Sequence, residues 1–192
     1  MREIIKLGLV LLLITSIAAV VLGFSNSITK DKIKEAEALV SEEARKSVLS
    51  QASKFQKADS DEIETLVQEN PNLLEIYKGL SDSGDVVGYA IKTATSGYGG
   101  NVEVITGISS DGKITGMNVV SHQETPGLGA NATTKEFQNR FKEKSASKEL
   151  VVVKASPQND NEIQALTGAT ITSDAVVDGV NVARQVFNNN LK

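Results

Sequence analysis

The sequence predicts an α+β protein, in which an N-terminal transmembrane helix precedes an antiparallel-sheet domain flanked by helices. Two observations predict this class. Residues 7–24 form an apolar run without a charge, and residues 74–122 contain successive strand patterns with no helical pattern between them. Strands that follow one another in this way favour α+β over an alternating α/β fold. We expect residues 1–27 to be the anchor, 28–70 an amphipathic helical segment and 71–192 the α+β domain.

The anchor is predicted from Leu7–Phe24, an uncharged run of 18 residues. As a helix it would span about 27 Å, close to the roughly 30 Å hydrocarbon core of a bilayer. A cleaved signal peptide is the alternative, but its apolar region is about 7–15 residues and ends in an A-x-A-like pattern. The following letters, FSNSITK, lack that pattern. A retained transmembrane helix is therefore favoured, although flanking lysines and arginines on both sides leave its orientation open.

Helical spacing continues after the anchor. Apolar residues recur every three to four positions in residues 28–50, which indicates an amphipathic helix. A second short helix is predicted over Asp61–Glu69, ended by Asn70-Pro71.

The sheet is predicted from four strand patterns separated by turns. Their letters are LLEIYKGL, VVGYAIKTAT, NVEVITGIS and ITGMNVVSH. Asp111-Gly112 between the last two is a strong hairpin signal.

Further elements are predicted in the C-terminal third. Thr133 and Glu136 form a capping-box pattern that predicts a helix over residues 133–144. A strand is predicted at ELVVVKA, and the apolar spacing of Ser173–Asn188 indicates a final helix.

Composition excludes several kinds of chemistry. The chain has no cysteine, which excludes disulfides and thiolate-bound metals or clusters, and its one histidine, His122, cannot form a histidine metal cluster. We therefore predict no metal site and no catalytic constellation. Beyond residue 24 the chain contains 18 Lys and Arg residues and 23 Asp and Glu residues. A mildly acidic domain repels phosphate backbones, so nucleic acid is not expected as a partner.

The stretch LTGATITSDAV, residues 166–176, crowds hydroxyl groups before the final helix. Thr172 or Ser173 can serve as the N-cap, with Asp174 favoured by the helix dipole. Alternatively, the small residues Gly168 and Ala169 let the backbone approach a bulky ligand, and the free N–H groups of the helix start bind a phosphate. The pattern of residues alone leaves both interpretations open.

A second stretch, SHQETPGLGA, follows the fourth predicted strand. Pro126, Gly127 and Gly129 can give this loop an unusual backbone path. It is either a plain turn or a loop pressed against a flat ligand through Leu128 and backbone N–H groups. His122 is either a surface residue or a proton donor, and Tyr98 either a turn residue or a ring that stacks on a ligand.

Taken together, the anchor, the strands, and the two stretches in this order resemble the G subunit of the Rnf electron-transport complex. They also resemble its relative, the C subunit of the sodium-translocating NADH:quinone reductase. Members carry FMN joined by a phosphodiester to the last threonine of an S/T-G-A-T motif, which corresponds to Thr170 here. The family pattern has an aspartate three residues before the motif, where this chain has Gln164.

The resemblance implies a membrane-bound redox subunit with covalent FMN, in a complex that couples ferredoxin oxidation and NAD reduction to ion movement. It implies the other Rnf subunits as partners, a separate FAD-dependent flavin transferase for maturation, and an extracytoplasmic soluble domain. The cofactor-binding residues it implies are Thr170, Thr167, Gly168, Ala169, Thr172, Ser173, Glu124, Thr125, Pro126, Gly127, Leu128 and Gly129.

Two other functions compete with an electron carrier on the motifs alone. One is a membrane-anchored module that binds a phosphorylated ligand reversibly, and the other is a scaffolding subunit that recruits a partner through the helix of residues 28–50.

Overall fold

The computed structural model describes residues 1–58 and 60–192 and divides the chain into two units, residues 1–40 and 41–192. The first unit is wholly helical and belongs to α1, which runs without interruption over Arg2–Val48. In the described chain, α1 is the one helix long and apolar enough to cross a membrane, and its apolar window is not buried by the rest of the protein. The anchor and the amphipathic helix predicted after it are thus parts of one continuous helix.

The second unit is built on a five-stranded antiparallel sheet in sequential order. Its strands are β1 (Lys54–Lys57), β2 (Leu73–Leu80), β3 (Val86–Ser96), β4 (Asn101–Ser109) and β5 (Ile114–Ser121). The predicted hairpin at Asp111-Gly112 is confirmed, because β4 pairs with β5 and Gly112 has a φ of +84°. A positive φ is costly for residues with a Cβ, which explains the glycine. The α+β class is confirmed.

Helix α4 (Thr170–Val186) covers one face of this sheet. Its apolar stripe, including Val176, Val180 and Ala183, lies in the main core with Ile91, Val104 and other sheet residues. Hydroxyl groups of β3 bond to helix carbonyls, with Thr95 Oγ1 donating to Ala175 O at 2.6 Å and Thr93 Oγ1 donating to Gly179 O at 3.1 Å. These bonds and the buried apolar area fix the helix on the sheet.

The end of α1 covers part of the opposite face. Ala44, Val48 and Leu49 pack with Ala90 and Ile105 in a small second cluster. Arg45 adds a cation–π contact, its guanidinium carbon lying 4.0 Å from the Tyr77 ring centre. The cluster ties the last turns of α1 to the sheet.

Three local predictions are corrected by the structure. The helix expected over residues 133–144 is a series of short turns: 3₁₀ over Gly129–Thr133, α3 over Lys135–Gln138 and 3₁₀ over Asn139–Phe141. Its cap is Thr134, whose Oγ1 accepts from Phe137 N at 3.4 Å, so the capping box was assigned one residue early. Phe137 and Phe141 are fully buried and contact each other, so core packing sets this path.

The other two corrections concern strands. The segment 28–70, expected to be helical, contains β1 in addition to α2 (Asp61–Glu69). The strand expected at residues 149–155 is only β6 (Val151–Val153), and it pairs in parallel with β7 (Glu162–Gln164), which was not predicted. This parallel pair leads directly into the threonine-rich stretch.

Candidate functional site

The two stretches singled out in the sequence meet at one cleft of about 630 Å³. The loop after β5 contributes Glu124, Thr125, Leu128 and Gly129, and the turn before α4 together with the first residues of that helix contributes residues 168–172. Tyr98, in the turn between β3 and β4, also lines the cleft. This volume is within the range of small-molecule sites, about 300–1,000 Å³. The cleft is the strongest candidate for a ligand site.

The turn that carries the TGAT letters depends on Gly168. Its φ is +74°, and a Cβ at this position would lie 3.3 Å from Leu128 Cδ2. Only glycine adopts this conformation without strain, and the turn would otherwise press on the opposite loop. The glycine thus sets the path that brings Thr170 to the cleft.

Helix α4 begins at Thr170, three residues earlier than predicted. Its N-cap is Ala169, which has no capping hydroxyl, so the assignment of Thr172 or Ser173 as the cap was wrong. The backbone N–H groups of the first turn have no intrahelical carbonyl to bond. They lie at the end of the helix that carries the positive end of the dipole, which favours an anion there.

Two of the hydroxyl groups in this stretch form hydrogen bonds within the protein. Ser173 is fully buried, and its Oγ accepts from Leu166 N and donates to Ala169 O, both at 2.9 Å. Thr172 is also buried, and its Oγ1 donates to Glu124 Oε2 at 2.5 Å. These side chains hold the turn in place, and neither hydroxyl is free to take a substituent without breaking those bonds.

The other two threonines differ from them. Within the described chain, neither Thr167 nor Thr170 makes a side-chain hydrogen bond, and of these two only Thr170 lines the cleft. Thr170 is half-buried, whereas Thr167 is exposed. The geometry therefore separates Thr170 from the three hydroxyl groups around it.

The loop after β5 forms the opposite wall. Leu128 and Ala130 both donate backbone N–H bonds to Thr125 O, and Asn131 Nδ2 donates to Gly127 O at 3.0 Å. Gly127 has a φ of +78° and is exposed, as is Pro126, and neither lines the cleft. The turn is thus held tightly by its own bonds while Leu128, 45% exposed, presents an apolar side chain at the cleft.

A buried carboxylate joins the two walls. Glu124 is only 6% exposed; its Oε1 accepts from Gly99 N at 2.9 Å and its Oε2 from Thr172 Oγ1. Burial is the largest single influence on the pKa of Glu124 and raises it. Bonds from Thr172 and from the backbone of Gly99 and Tyr98 together outweigh burial, so the pKa lies below its usual value and the carboxylate is charged at neutral pH.

Tyr98 and His122 take different places at the site. The Tyr98 side chain is 72% exposed at the edge of the cleft, where an aromatic ring is available to stack on a flat ligand. His122 does not line the cleft, and its Nδ1 accepts a hydrogen bond from Glu124 N at 3.2 Å. It therefore supports the loop backbone.

Gln164, which stands where the family pattern has aspartate, ends β7. Its backbone oxygen accepts from Arg140 Nη1 at 2.5 Å, and the Arg140 guanidinium lies 5.3 Å from the Phe137 ring centre. Arg140 also pairs with Glu136 at 3.2 Å. The bond from Arg140 to the β7 backbone does not depend on the side chain at 164.

The cleft fits a flavin mononucleotide by its chemistry. Apolar side chains at Leu128 and Ile171, 45% and 55% exposed, suit a ring system, and the open N–H groups at the start of α4 suit a phosphate. An ionised Glu124 engaged with Thr172 leaves the Thr170 hydroxyl as the free oxygen at the helix start.

Comparison with known proteins agrees with this chemistry. Residues 97–185, which include both walls of the cleft, match the FMN-binding domain family. The chain is 45% identical to the G subunit of the Na⁺-translocating ferredoxin:NAD⁺ oxidoreductase complex of Acetobacterium woodii, over 98% of this chain and 93% of that protein. It is 38% identical to the G subunit of the ion-translocating oxidoreductase complex of Methanosarcina acetivorans, over 95% and 93%.

The fold is also found in solved structures. NqrC of Shewanella oneidensis superposes with a TM-score of 0.59 at 19% identity, over 79% of this chain and 95% of that one. The C subunit of the Na⁺-translocating NADH-quinone reductase of Parabacteroides distasonis gives 0.59 at 18% identity, over 80% and 93%.

Proposed function

The chain belongs to the family of G subunits of ion-translocating oxidoreductase complexes, and we propose that it carries electrons there through FMN bound covalently to Thr170. The single observation that supports the covalent site best is the state of the four hydroxyl groups. Thr172 and Ser173 are buried and engaged, Thr167 lies outside the cleft, and Thr170 is the one of the four that is both unbonded and lining the cleft.

Attachment would be a phosphoryl transfer made by a separate flavin transferase from FAD. The Thr170 oxygen forms a bond to the phosphorus on the FMN side, the pyrophosphate bond of FAD breaks, AMP leaves and the hydroxyl proton passes to a base. No base of this chain is required for the step, because the transferase supplies one. What this chain supplies is an accessible hydroxyl at the start of a helix.

The resulting phosphodiester keeps one negative charge. The first-turn N–H groups of α4 and the helix dipole would stabilise that charge. Glu124 would not compete for the same groups, since its carboxylate is already bonded to Thr172 and Gly99. The residues proposed to form the cofactor site besides Thr170 are Thr167, Gly168, Ala169, Thr172, Ser173, Glu124, Thr125, Pro126, Gly127, Leu128 and Gly129. Among them, Thr172, Ser173 and Glu124 would act by fixing the turn. Thr167, Pro126 and Gly127 do not line the cleft and would act by shaping the two turns.

Bound flavin supplies the redox chemistry, and this chain supplies its position. A covalent link prevents loss of the cofactor, and the anchor keeps the domain in the membrane, so that distances to neighbouring redox centres stay fixed. We propose the other subunits of the complex as the partners that deliver and receive electrons, with ferredoxin and NAD⁺ as the outer donor and acceptor. This is the activity named for the Acetobacterium relative.

We place the soluble domain on the extracytoplasmic side and α1 as a single-pass anchor. Because the chain lacks cysteine, one introduced cysteine reports its own position. In intact cells, a membrane-impermeant maleimide should label Asp82→Cys in the exposed turn before β3, and Glu3→Cys should react only after lysis. The reverse pattern would contradict this orientation.

The covalent site is tested in a host that contains the transferase. After denaturing electrophoresis, the wild-type band should fluoresce under ultraviolet light and Thr170→Ala should not. Ser121→Ala and Ser156→Ala, which remove exposed hydroxyl groups outside the cleft, are the matched controls and should keep the fluorescence. Flavin that dialysis removes would instead support the reversible binding module, and a complex that lacks flavin in this chain yet needs the chain to assemble would support the scaffold.

A further inference from the structure

We propose that Glu124 is a positioning residue. Its buried carboxylate joins the glycine-rich turn at residues 97–100 to the first turn of α4, a contact that we call the latch. The latch fixes the turn that presents Thr170 before the cofactor arrives. The proposal concerns the unmodified protein, and its consequence for modification rests on the function proposed above. It is carried by the bonds of the carboxylate, by the packing around it and by its charge.

The two carboxylate oxygens serve different parts of the chain. Oε1 accepts from Gly99 N, in the turn between β3 and β4, and Oε2 accepts from Thr172 Oγ1, in α4. Glu124 itself follows β5, and its own N–H donates to His122. One side chain thus joins three segments that are distant in sequence.

Two glycines lie close to this carboxylate, and a third lies close to the backbone beside it. A Cβ at Gly129 would lie 2.5 Å from both Glu124 Oε2 and Thr172 Oγ1. A Cβ at Gly97 would overlap Glu124 Oε1, and one at Gly99 would overlap the backbone oxygen of Gln123. Gly97 and Gly129 therefore provide the space that the carboxylate occupies, and Gly99 lets its turn approach the Gln123 backbone.

The latch uses a charge where a neutral side chain would cost less to bury. Within the described chain Glu124 has no Lys or Arg partner within ion-pair distance. Taking a carboxylate out of water without a cation is unfavourable, and only hydrogen bonds to the charged form offset the cost. Charge-assisted bonds are shorter and stronger than neutral ones, which suits a contact that must hold two turns in one geometry.

Thr172 and Gly99 are therefore expected to be coupled through Glu124. The test measures amide hydrogen exchange of the full-length, flavin-free chain in detergent. Thr172→Val should speed exchange at Gly99 about tenfold, the size of a coupling within one hydrogen-bond network, although the altered side chain lies in α4. Glu124→Gln should do the same, because it removes the charge that strengthens both bonds, and its NH₂ group can contact Thr172 Oγ1 only with the direction of the bond reversed. Thr172→Ser, which keeps the hydroxyl, should behave as wild type.

General destabilisation is separated from the latch by two controls. The amide of Ala90, in the middle of the sheet, should be unaffected, and Glu136→Gln on an exposed glutamate should change neither amide. In the double variant Glu124→Gln/Thr172→Val, amide exchange at Gly99 should be no faster than in either single variant. Additive losses, equal acceleration at Ala90, or an unchanged Gly99 in Thr172→Val would each overturn the proposal.

The link to modification is measured separately, as the rate of flavin incorporation with the transferase and FAD. Both single variants should incorporate flavin about tenfold more slowly than wild type, and Thr172→Ser at the normal rate. If Gly99 responds as expected but wild type takes up no flavin, the proposed function fails and the latch stands. If wild type is flavinylated and Gly99 does not respond, the latch fails and the function stands.

Discussion

The first turn and the middle of α4 differ in the hydrogen bonding of their polar groups. In the middle, carbonyls of Ala175 and Gly179 accept bonds from Thr95 and Thr93 of the sheet, and the helix face is closed. At the start, Thr170 and its neighbours line a cleft, and the Thr170 hydroxyl has no hydrogen-bond partner among the described residues. A fully bonded stretch therefore lies next to an open one in the same helix. The closed stretch fixes the backbone whose first turn must stay available to a ligand.

Filling the closed stretch should give the largest loss of stability. In Gly179→Leu, the new Cβ would start 2.9 Å from Thr93 Oγ1. Overpacking of this kind costs about 1–3 kcal/mol and occasionally more. We expect this loss in the free energy of unfolding by denaturant. Gln185→Leu, which adds the same side chain at an exposed position of α4, should change it by less than about 0.5 kcal/mol. Equal losses in the two variants would show that the middle is not closely packed.

A change at the open end should affect cofactor attachment more than stability. Gly168→Ala places a Cβ at a φ of +74° and 3.3 Å from Leu128 Cδ2. The conformation alone costs about 1–2 kcal/mol, and relief of it would move the turn that presents Thr170. Flavin fluorescence of the denatured band should fall several-fold relative to protein. Gly84→Ala has a φ of +91° with open space around it and lies outside the cleft, and it should retain full fluorescence.

The contribution of a hydrogen bond of the closed stretch to stability can be measured with a matched pair of threonines. Thr95→Val removes the bond to Ala175 O and should cost about 1 kcal/mol in the free energy of unfolding. Thr106→Val should be neutral or stabilising, because Thr106 Oγ1 is buried without a partner among the described residues. Destabilisation by Thr106→Val equal to that by Thr95→Val would contradict the distinction between them.

The smallest effect is expected on the solvent side of α4. Burial, and then the charges of Asp174 and Glu149, raise the pKa of Asp178. A raised pKa means that the folded protein holds this proton more tightly than the unfolded chain, so stability falls as pH rises through that range. Asp178→Asn should therefore stabilise the protein at neutral pH, by less than about 0.5 kcal/mol. The gain should disappear as the pH falls below about 3.9, the usual pKa of aspartate. Thermal unfolding of wild type and Asp178→Asn at pH 3.5 and 7 measures the gain and its disappearance.

Much of this arrangement could be predicted from the sequence because its signals are local. The apolar part of α1 follows from an uncharged run, and the β4–β5 hairpin follows from Asp111-Gly112. The meeting of the two motif loops was implied by resemblance, and the structure brings them to one cleft.

What the sequence did not predict depends on contacts between distant residues. β1 consists of the letters KFQK, which carry little strand signal, and it forms because β2 offers an edge. β7 forms because the backbone of β6 lies beside it. Thr172 and Ser173 match an N-cap pattern, but their hydroxyl groups are hydrogen-bonded to Glu124 and Leu166 instead. The spacing of residues in the sequence does not predict these bonds.

The central claim, that Thr170 alone carries the cofactor, is tested most directly by peptide mass spectrometry. Trypsin should release residues 155–184 from protein made in a host with the transferase. We predict that fragment ions place one FMN phosphodiester on Thr170 and none elsewhere in that peptide. The same mass on Thr167, Thr172 or Ser173, or an unmodified peptide from that host, would contradict the account.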